Sequence, residues 1–263
     1  MDIYWEFVKK SFLQKFIYRA DSYIQIFGTL VKLFILMSAW TALYRGKIEI
    51  NGITLADMVS FVTINIVVSA LTNSRVAEKI AVKVNDGSIA VDFIKPISFR
   101  FFMLADELGE NLYRAVFNTI PACLFATLLW GFRLPADPVR IGIFLISLIN
   151  GIVLVMYLNY VFGLLAFWFK TAFHINWFLG ALYELFSGTF VPLWFYPKML
   201  FKISLLLPFR YISFEPISIF LEKISLSDSF KVIIGQLTWI LILVGLDNFI
   251  WHKAQSKVTV HGG

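Results

Sequence analysis

Residues 141–169 read IGIFLISLINGIVLVMYLNYVFGLLAFWF, an apolar run without one Asp, Glu, Lys or Arg. A helix needs about 20 mainly apolar residues to cross about 30 Å of hydrocarbon. Within lipid it satisfies its backbone polar groups internally. This run exceeds the required length, so the solvent around it is lipid. Working outward, five further stretches meet the same requirement: Tyr23–Tyr44, Leu55–Asn73, Leu112–Phe132, Asn176–Trp194 and Val232–Trp251. The expected fold is all-α, a polytopic membrane protein with about six transmembrane helices.

Composition agrees with that class. Of 263 residues 59% are hydrophobic and 15% charged, too little polar surface to cover a water-soluble globule of this size. The 28 Phe and 8 Trp suit lipid contact and headgroup belts. A net charge of +6 would suit nucleic acid only as a basic stripe on a polar scaffold, whereas here the Lys and Arg residues lie between apolar runs. No nucleic-acid partner is expected. Basic residues are more numerous in the tail 1–22, the loop Ser74–Arg100, the turn at Lys170 and the C-terminus than on the other side, which predicts two cytoplasmic termini. The single cysteine, Cys123, cannot form a disulfide within the chain. The first 19 residues lack an uninterrupted apolar core and a small-residue cleavage site, so no cleaved signal is expected there.

Several segments depart from simple spanning helices. Trp5, Val8, Phe12 and Phe16 recur at helical spacing beside Lys9 and Lys15, which predicts an N-terminal interfacial helix, anchored in lipid or packed under the bundle. Phe101–Phe132 is longer than one crossing. Its first third, with Asp106, Glu107 and Glu110, is expected at the membrane surface, with Glu110 paired to Arg114 one turn away and a kink at Pro121. The connection Pro192–Lys231 is apolar but broken by Pro192, Pro197, Pro208 and Pro216, and predicts short re-entrant or surface helices between the fifth and sixth spans. No repeat or flexible linker divides residues 1–263, so one transmembrane domain is expected.

Motifs for metal, phosphate or nucleophile chemistry are missing: there is no pair of His one turn apart with Glu, no Gly-rich loop ending in Lys-Ser or Lys-Thr, and no Gly-x-Ser-x-Gly. His174, His252 and His261 are isolated. No cofactor is expected in this chain, and ATP and Mg, if used, would belong to another polypeptide. Lys32 and Glu184 lie inside spans, where an ionisable side chain costs several kcal/mol unless it faces protein or water. They mark a polar solute path, a structural pair between helices or, for Lys32, a side chain that snorkels to the interface. Arg75, Lys79 and Lys83 follow at intervals of four beside Val76, Ile80 and Val84, the pattern of a short amphipathic cytoplasmic helix that Asn85, Asp86 and Gly87 terminate. Ile89, Val91, Phe93 and Ile94 then need something to bury against, a docked partner or the bundle itself.

The ordered set of "YRAD" at Tyr18–Asp21, "NDGSIAVDFIKPIS" at Asn85–Ser98, "FSGTFVPLWFYP" at Phe186–Pro197, "LLPFRYISFEP" at Leu206–Pro216 and the closing Gly262 and Gly263 resembles the permease subunits of bacterial ABC exporters, in the six-helix branch whose ATPase is a separate chain. The resemblance implies a coupling helix in the first cytoplasmic loop, carried onto Arg75, Glu78, Lys79, Lys83, Asp86, Gly87 and Asp92. It implies an external gate at Ser187, Gly188, Pro192 and Pro197. Further implications are a cognate ABC ATPase holding ATP and Mg, a second permease subunit in a heteromer or homodimer, location in the bacterial cytoplasmic membrane, and export. An ion-driven secondary transporter is the alternative, although the related halves common in that class are not evident. A membrane-embedded enzyme would have to use Asp106, Glu107 and Glu110, which nothing orients toward a nucleophile or metal.

Overall fold

A computed structural model describes residues 2–132, 135, 137–169 and 172–255. Lys170, His261, Gly262 and Gly263 lie outside the described residues. The chain begins with α1 (Asp2–Gln14), a 3₁₀ turn, and α2 (Arg19–Leu43). A two-stranded antiparallel hairpin, β1 (Glu49–Ile50) and β2 (Ile53–Thr54), turns it into α3 (Leu55–Thr72). There follow α4 (Val76–Asn85), α5 (Ile89–Ile94), α6 (Phe99–Arg114), α7 (Ile120–Trp130), α8 (Pro138–Leu164), α9 (Ala172–Phe186), α10 (Lys198–Leu205), α11 (Phe214–Phe220) and α12 (Leu226–Gln255).

Among the described residues five helical stretches are long and apolar enough to cross a membrane: Ser22–Leu43, Leu55–Asn85, Phe99–Trp130, Pro138–Phe167 and Leu226–Ala254. The fifth of the six expected spans differs from Asn176–Trp194. Its helix, α9, stops at Phe186, and its 15 residues reach only about 22 Å. The chain then continues as irregular backbone stabilised by protein contacts, a form tolerated at membrane depth only where it is buried.

Cross-contacts define two ends of the bundle. At one end Arg100, at the start of α6, pairs with Asp247 late in α12 at 2.7 Å, and the Ser98 amide donates to the Tyr4 hydroxyl of α1 at 3.0 Å. At the other end Lys223, just before α12, pairs with Asp57 in the first turn of α3 at 2.6 Å, and Arg140 of α8 donates to the Ile224 carbonyl at 2.8 Å. The β-hairpin joins this second end through Asn51, whose amide donates to the Trp194 carbonyl. Among the described residues the five long stretches run between these two ends, and the shorter α9 runs beside them.

Thr54 starts α3 with a reciprocal capping box: its hydroxyl accepts from the Asp57 amide while the Asp57 carboxylate accepts from the Thr54 amide. The core lies between α3, α8, α9, α11 and α12, around Phe61, Leu154, Ile212 and Ile217. Outside it, Phe27, Leu128, Ile149 and Leu241 are exposed, as a lipid-facing exterior requires.

Three local expectations take definite form. The first third of Phe101–Phe132 carries its acidic residues at the end of the bundle beside α1, and α6 runs on from there into α7 through a π-helical turn at Ala115–Thr119. Pro121 has no N–H to offer the preceding turn, and the wide turn lies just ahead of it. α1 packs on α6: Val8 is buried, and Phe16, Tyr113 and Phe117 form a cluster with centroids about 5 Å apart, while Trp5 stays exposed. The amphipathic α4 lays its apolar face on the bundle: Val76, Ala77, Ile80 and Ala81 are buried against α8 and α9.

Candidate functional site

Polar side chains recur along α2 at Ser22, Gln25, Thr29 and Lys32, steps of three and four that put them on one helical face. Asn65 and Ser69 of α3 do the same, followed by Asn73 just past its end. The two stripes, with Asn118 and Arg114, line a cavity of about 500 Å³. Asn118 donates its side-chain amide to the Gln25 side-chain oxygen at 3.0 Å, and Ser22 and Tyr113 share a hydrogen bond at 2.9 Å, which links α2 to the α6–α7 helix across the wall.

A second cavity of about 460 Å³ adjoins it and is lined by Glu78, Asn159, Tyr183, Glu184 and Thr189. Lys32, Ser69, Asn73 and Arg75 line both cavities and so form the partition between them. Lys32 and Glu184 thus border one polar space, although among the described residues no ion pair joins them. Tyr183 closes its inner wall, sharing hydrogen bonds with Thr72 at 3.1 Å and Ser213 at 3.0 Å.

At the end of the molecule that carries α1, a charge cluster ties three helices together. Lys79 contacts Asp106 at 2.6 Å, Glu110 at 2.8 Å and Glu107 at 3.0 Å. Glu110 also holds Lys15 and Arg114, each at 3.0 Å, and Glu107 accepts the Arg75 backbone amide at 2.9 Å. Three cations thus balance three carboxylates, and the expected Glu110–Arg114 pair is one member. The acidic side chains are thus engaged in ion pairs that join α4 and α6.

Beyond this cluster α4 and α5 form a helical hairpin. Asp92 is 4% exposed and is held by Lys83 at 2.8 Å and by Lys95. Burial pushes its carboxyl up, but the hydrogen bonds and charges of the two lysines outweigh that and hold it below the usual aspartate value. Asp86 and Gly87 are exposed at the turn, and Val82, Val91 and Ile94 are exposed around it, Ile94 at 83%. The seven residues expected to couple to an ATPase therefore fall into three places. Asp86 and Gly87 form the tip, Lys83 and Asp92 brace it, and Arg75, Glu78 and Lys79 lie deeper, the first two at the cavities and Lys79 in the acidic cluster. The single basic face expected of Arg75, Lys79 and Lys83 is not a free surface, because Lys79 turns inward to the carboxylates of α6.

At the opposite end the expected gate residues cluster around the irregular chain after α9. Ser187 is fully buried, shares a hydrogen bond with Thr189 at 2.8 Å and accepts the Phe214 amide through its carbonyl at 3.1 Å. Gly188 has φ +76°, and a Cβ there would stand 2.9 Å from that of Phe214, so both backbone and space call for glycine. Pro192 is buried behind Trp194, whose ring packs on Phe61 and Phe214; Pro197 is exposed and starts α10. Asn65 donates to the Thr189 carbonyl at 2.8 Å, so the same residue that lines the first cavity also fastens this segment. Nearby, burial raises the Glu215 carboxyl above its usual range while Arg210, at 2.8 Å, opposes the shift.

Sequence reading missed Gln25, Asn65, Ser69 and Asn118, although the signal was present as polar uncharged residues at helical spacing within apolar spans. The model of the ABC-2 family of transporter proteins matches residues 30–262. No curated protein and no solved structure matches the chain.

Proposed function

The chain belongs to the ABC-2 family of transporter proteins, and from this premise, which makes it a membrane-spanning ABC permease, we propose that it exports its solute with energy from a separate ATPase docked on the α4–α5 hairpin. The observation that carries this proposal is the hairpin itself. It lies at the bundle end that carries α1, exposes Val82, Val91 and Ile94 around the Asp86–Gly87 turn, and is braced by Asp92. Exposed aliphatic side chains on a braced tip are the kind of surface a soluble partner covers. α4 packs directly on α8 and α9, so a push on the tip is transmitted to the helix that carries Tyr183 and Glu184.

In this scheme ATP and Mg are held by the partner, the hairpin end faces the cytoplasm of a bacterial cell, and a second permease subunit, identical or different, completes the path. The cavities beside Lys32 and Glu184 receive the solute, and the segment with Ser187, Gly188, Pro192 and Pro197 closes the outer side. The test is copurification from native membranes, followed by ATPase measurement in proteoliposomes. An ATPase subunit is expected to accompany the chain, and Val91→Asp with Ile94→Asp to abolish transport-linked hydrolysis without lowering the unfolding temperature, since both positions are exposed. Transport that persists without ATP under an ion gradient would overturn the scheme in favour of a secondary transporter.

A further inference from the structure

The first cavity differs from the second in charge. Among the described residues, its lining holds Lys15, Lys32, Arg75 and Arg114 and no Asp or Glu. Two of these cations are already partnered: Lys15 and Arg114 both reach Glu110. Lys32 and the Arg75 guanidinium are in no ion pair or side-chain hydrogen bond among the described residues, and both stand on the partition between the two cavities. A cation near the middle of a span is costly unless water or an anion meets it. The neutral donors of Gln25, Ser69 and Asn73 border the same space.

We propose that this cavity binds the anionic group of the transported solute, a phosphate-type headgroup or free phosphate-type anion, between Lys32 and Arg75. The proposal rests on the permease reading and adds its substrate class. The geometry supplies two charge-assisted donors from different helices, α2 and the start of α4, so the anion bridges elements that must separate if the path opens. The second cavity, with Glu78 and Glu184 opposite the same two cations, is less suited to an anion and is where that group would be released from Lys32 and Arg75.

The test uses the full chain purified with whatever subunits accompany it, titrated calorimetrically with short-chain phosphatidylglycerol, short-chain phosphatidylcholine and inorganic phosphate. Saturable binding of phosphatidylglycerol at least tenfold tighter than phosphatidylcholine is expected. Lys32→Gln and Arg75→Gln should each weaken it about tenfold, about 1.4 kcal/mol, with Lys32→Arg retaining it. Phosphate binding with the same dependence identifies a soluble anion as the source; phosphatidylglycerol binding without phosphate binding identifies a lipid-like amphiphile. Equal binding of both lipids, no saturable binding, or binding indifferent to both substitutions overturns the inference. ATP-driven export that survives in that case would leave the permease reading standing, whereas anion binding in a chain that recruits no ATPase would remove that reading and keep the site.

Discussion

Lys79 shows how one side chain can change meaning between sequence and structure. Its spacing with Arg75 and Lys83 marks a basic helical face, but the carboxylates of Asp106, Glu107 and Glu110 lie on another helix, and no sequence interval shows that they meet. Glu107 is completely buried, and Lys79 is its only ion-pair partner among the described residues. Lys79→Met should therefore destabilise the protein by about 3–5 kcal/mol, the cost of breaking a buried pair and leaving a charge behind. Lys79→Met combined with Glu107→Gln should recover part of that loss, measured by unfolding in detergent. Asp92 makes a second prediction. Because its folded pKa lies below the ordinary 3.8, its bracing of the hairpin is complete above that value and is lost as pH falls through the lower folded value. Hydrogen-exchange protection over residues 82–95, taken relative to the intrinsic rate at each pH, should fall below about pH 4, and Asp92→Asn should already have low protection at neutral pH and lack this acid step.

At the scale of elements, the long apolar runs were legible because lipid imposes length and composition directly, and the run 141–169 became α8 with little change. The partners of the acidic start of α6 and the end of α9 were not legible. Lys79 reaches those carboxylates from another helix, and hydropathy continues through Phe190 and Trp194 although the helix has already yielded to the turn at Gly188. α4 was visible as an amphipathic helix, but what its apolar face covers was decided by a glycine on another helix. A Cβ on Gly163 of α8 would lie 2.9 Å from the Ala77 Cα and 2.9 Å from the Ile80 Cδ1, so α4 rests on α8 nearly backbone to backbone. Gly163→Ala should force the two apart and cost about 1–3 kcal/mol. Gly142→Ala, on the same helix with nothing within 4 Å of the added carbon, should be neutral or slightly stabilising. Equal effects in thermal unfolding would show that α4 is not tightly docked there.

For the whole molecule, the two ends are built differently, and that asymmetry turns orientation into a measurable property. One end is a charged collar of α1, α4, α5 and α6, where Lys15, Lys79, Lys83, Lys95 and Arg114 engage carboxylates. The other is a cap of short helices and a β-hairpin, closed by Trp194, Phe214 and the pairs Asp57–Lys223 and Arg210–Glu215. The positive-inside rule, applied to the excess of basic residues at the collar, predicts that this end faces the cytoplasm, as the proposed function requires. Ile48, 91% exposed beside the β-hairpin, and Ile94, 83% exposed on the α4–α5 hairpin, report on opposite ends. With Cys123→Ala as background, a membrane-impermeant maleimide should label Ile48→Cys in intact cells and Ile94→Cys only after permeabilisation. The reverse pattern would invert the molecule and remove the hairpin from reach of a cytoplasmic ATPase. Labelling of both sites from one side would contradict an arrangement in which α2 carries the chain from the collar to the cap and α3 returns it.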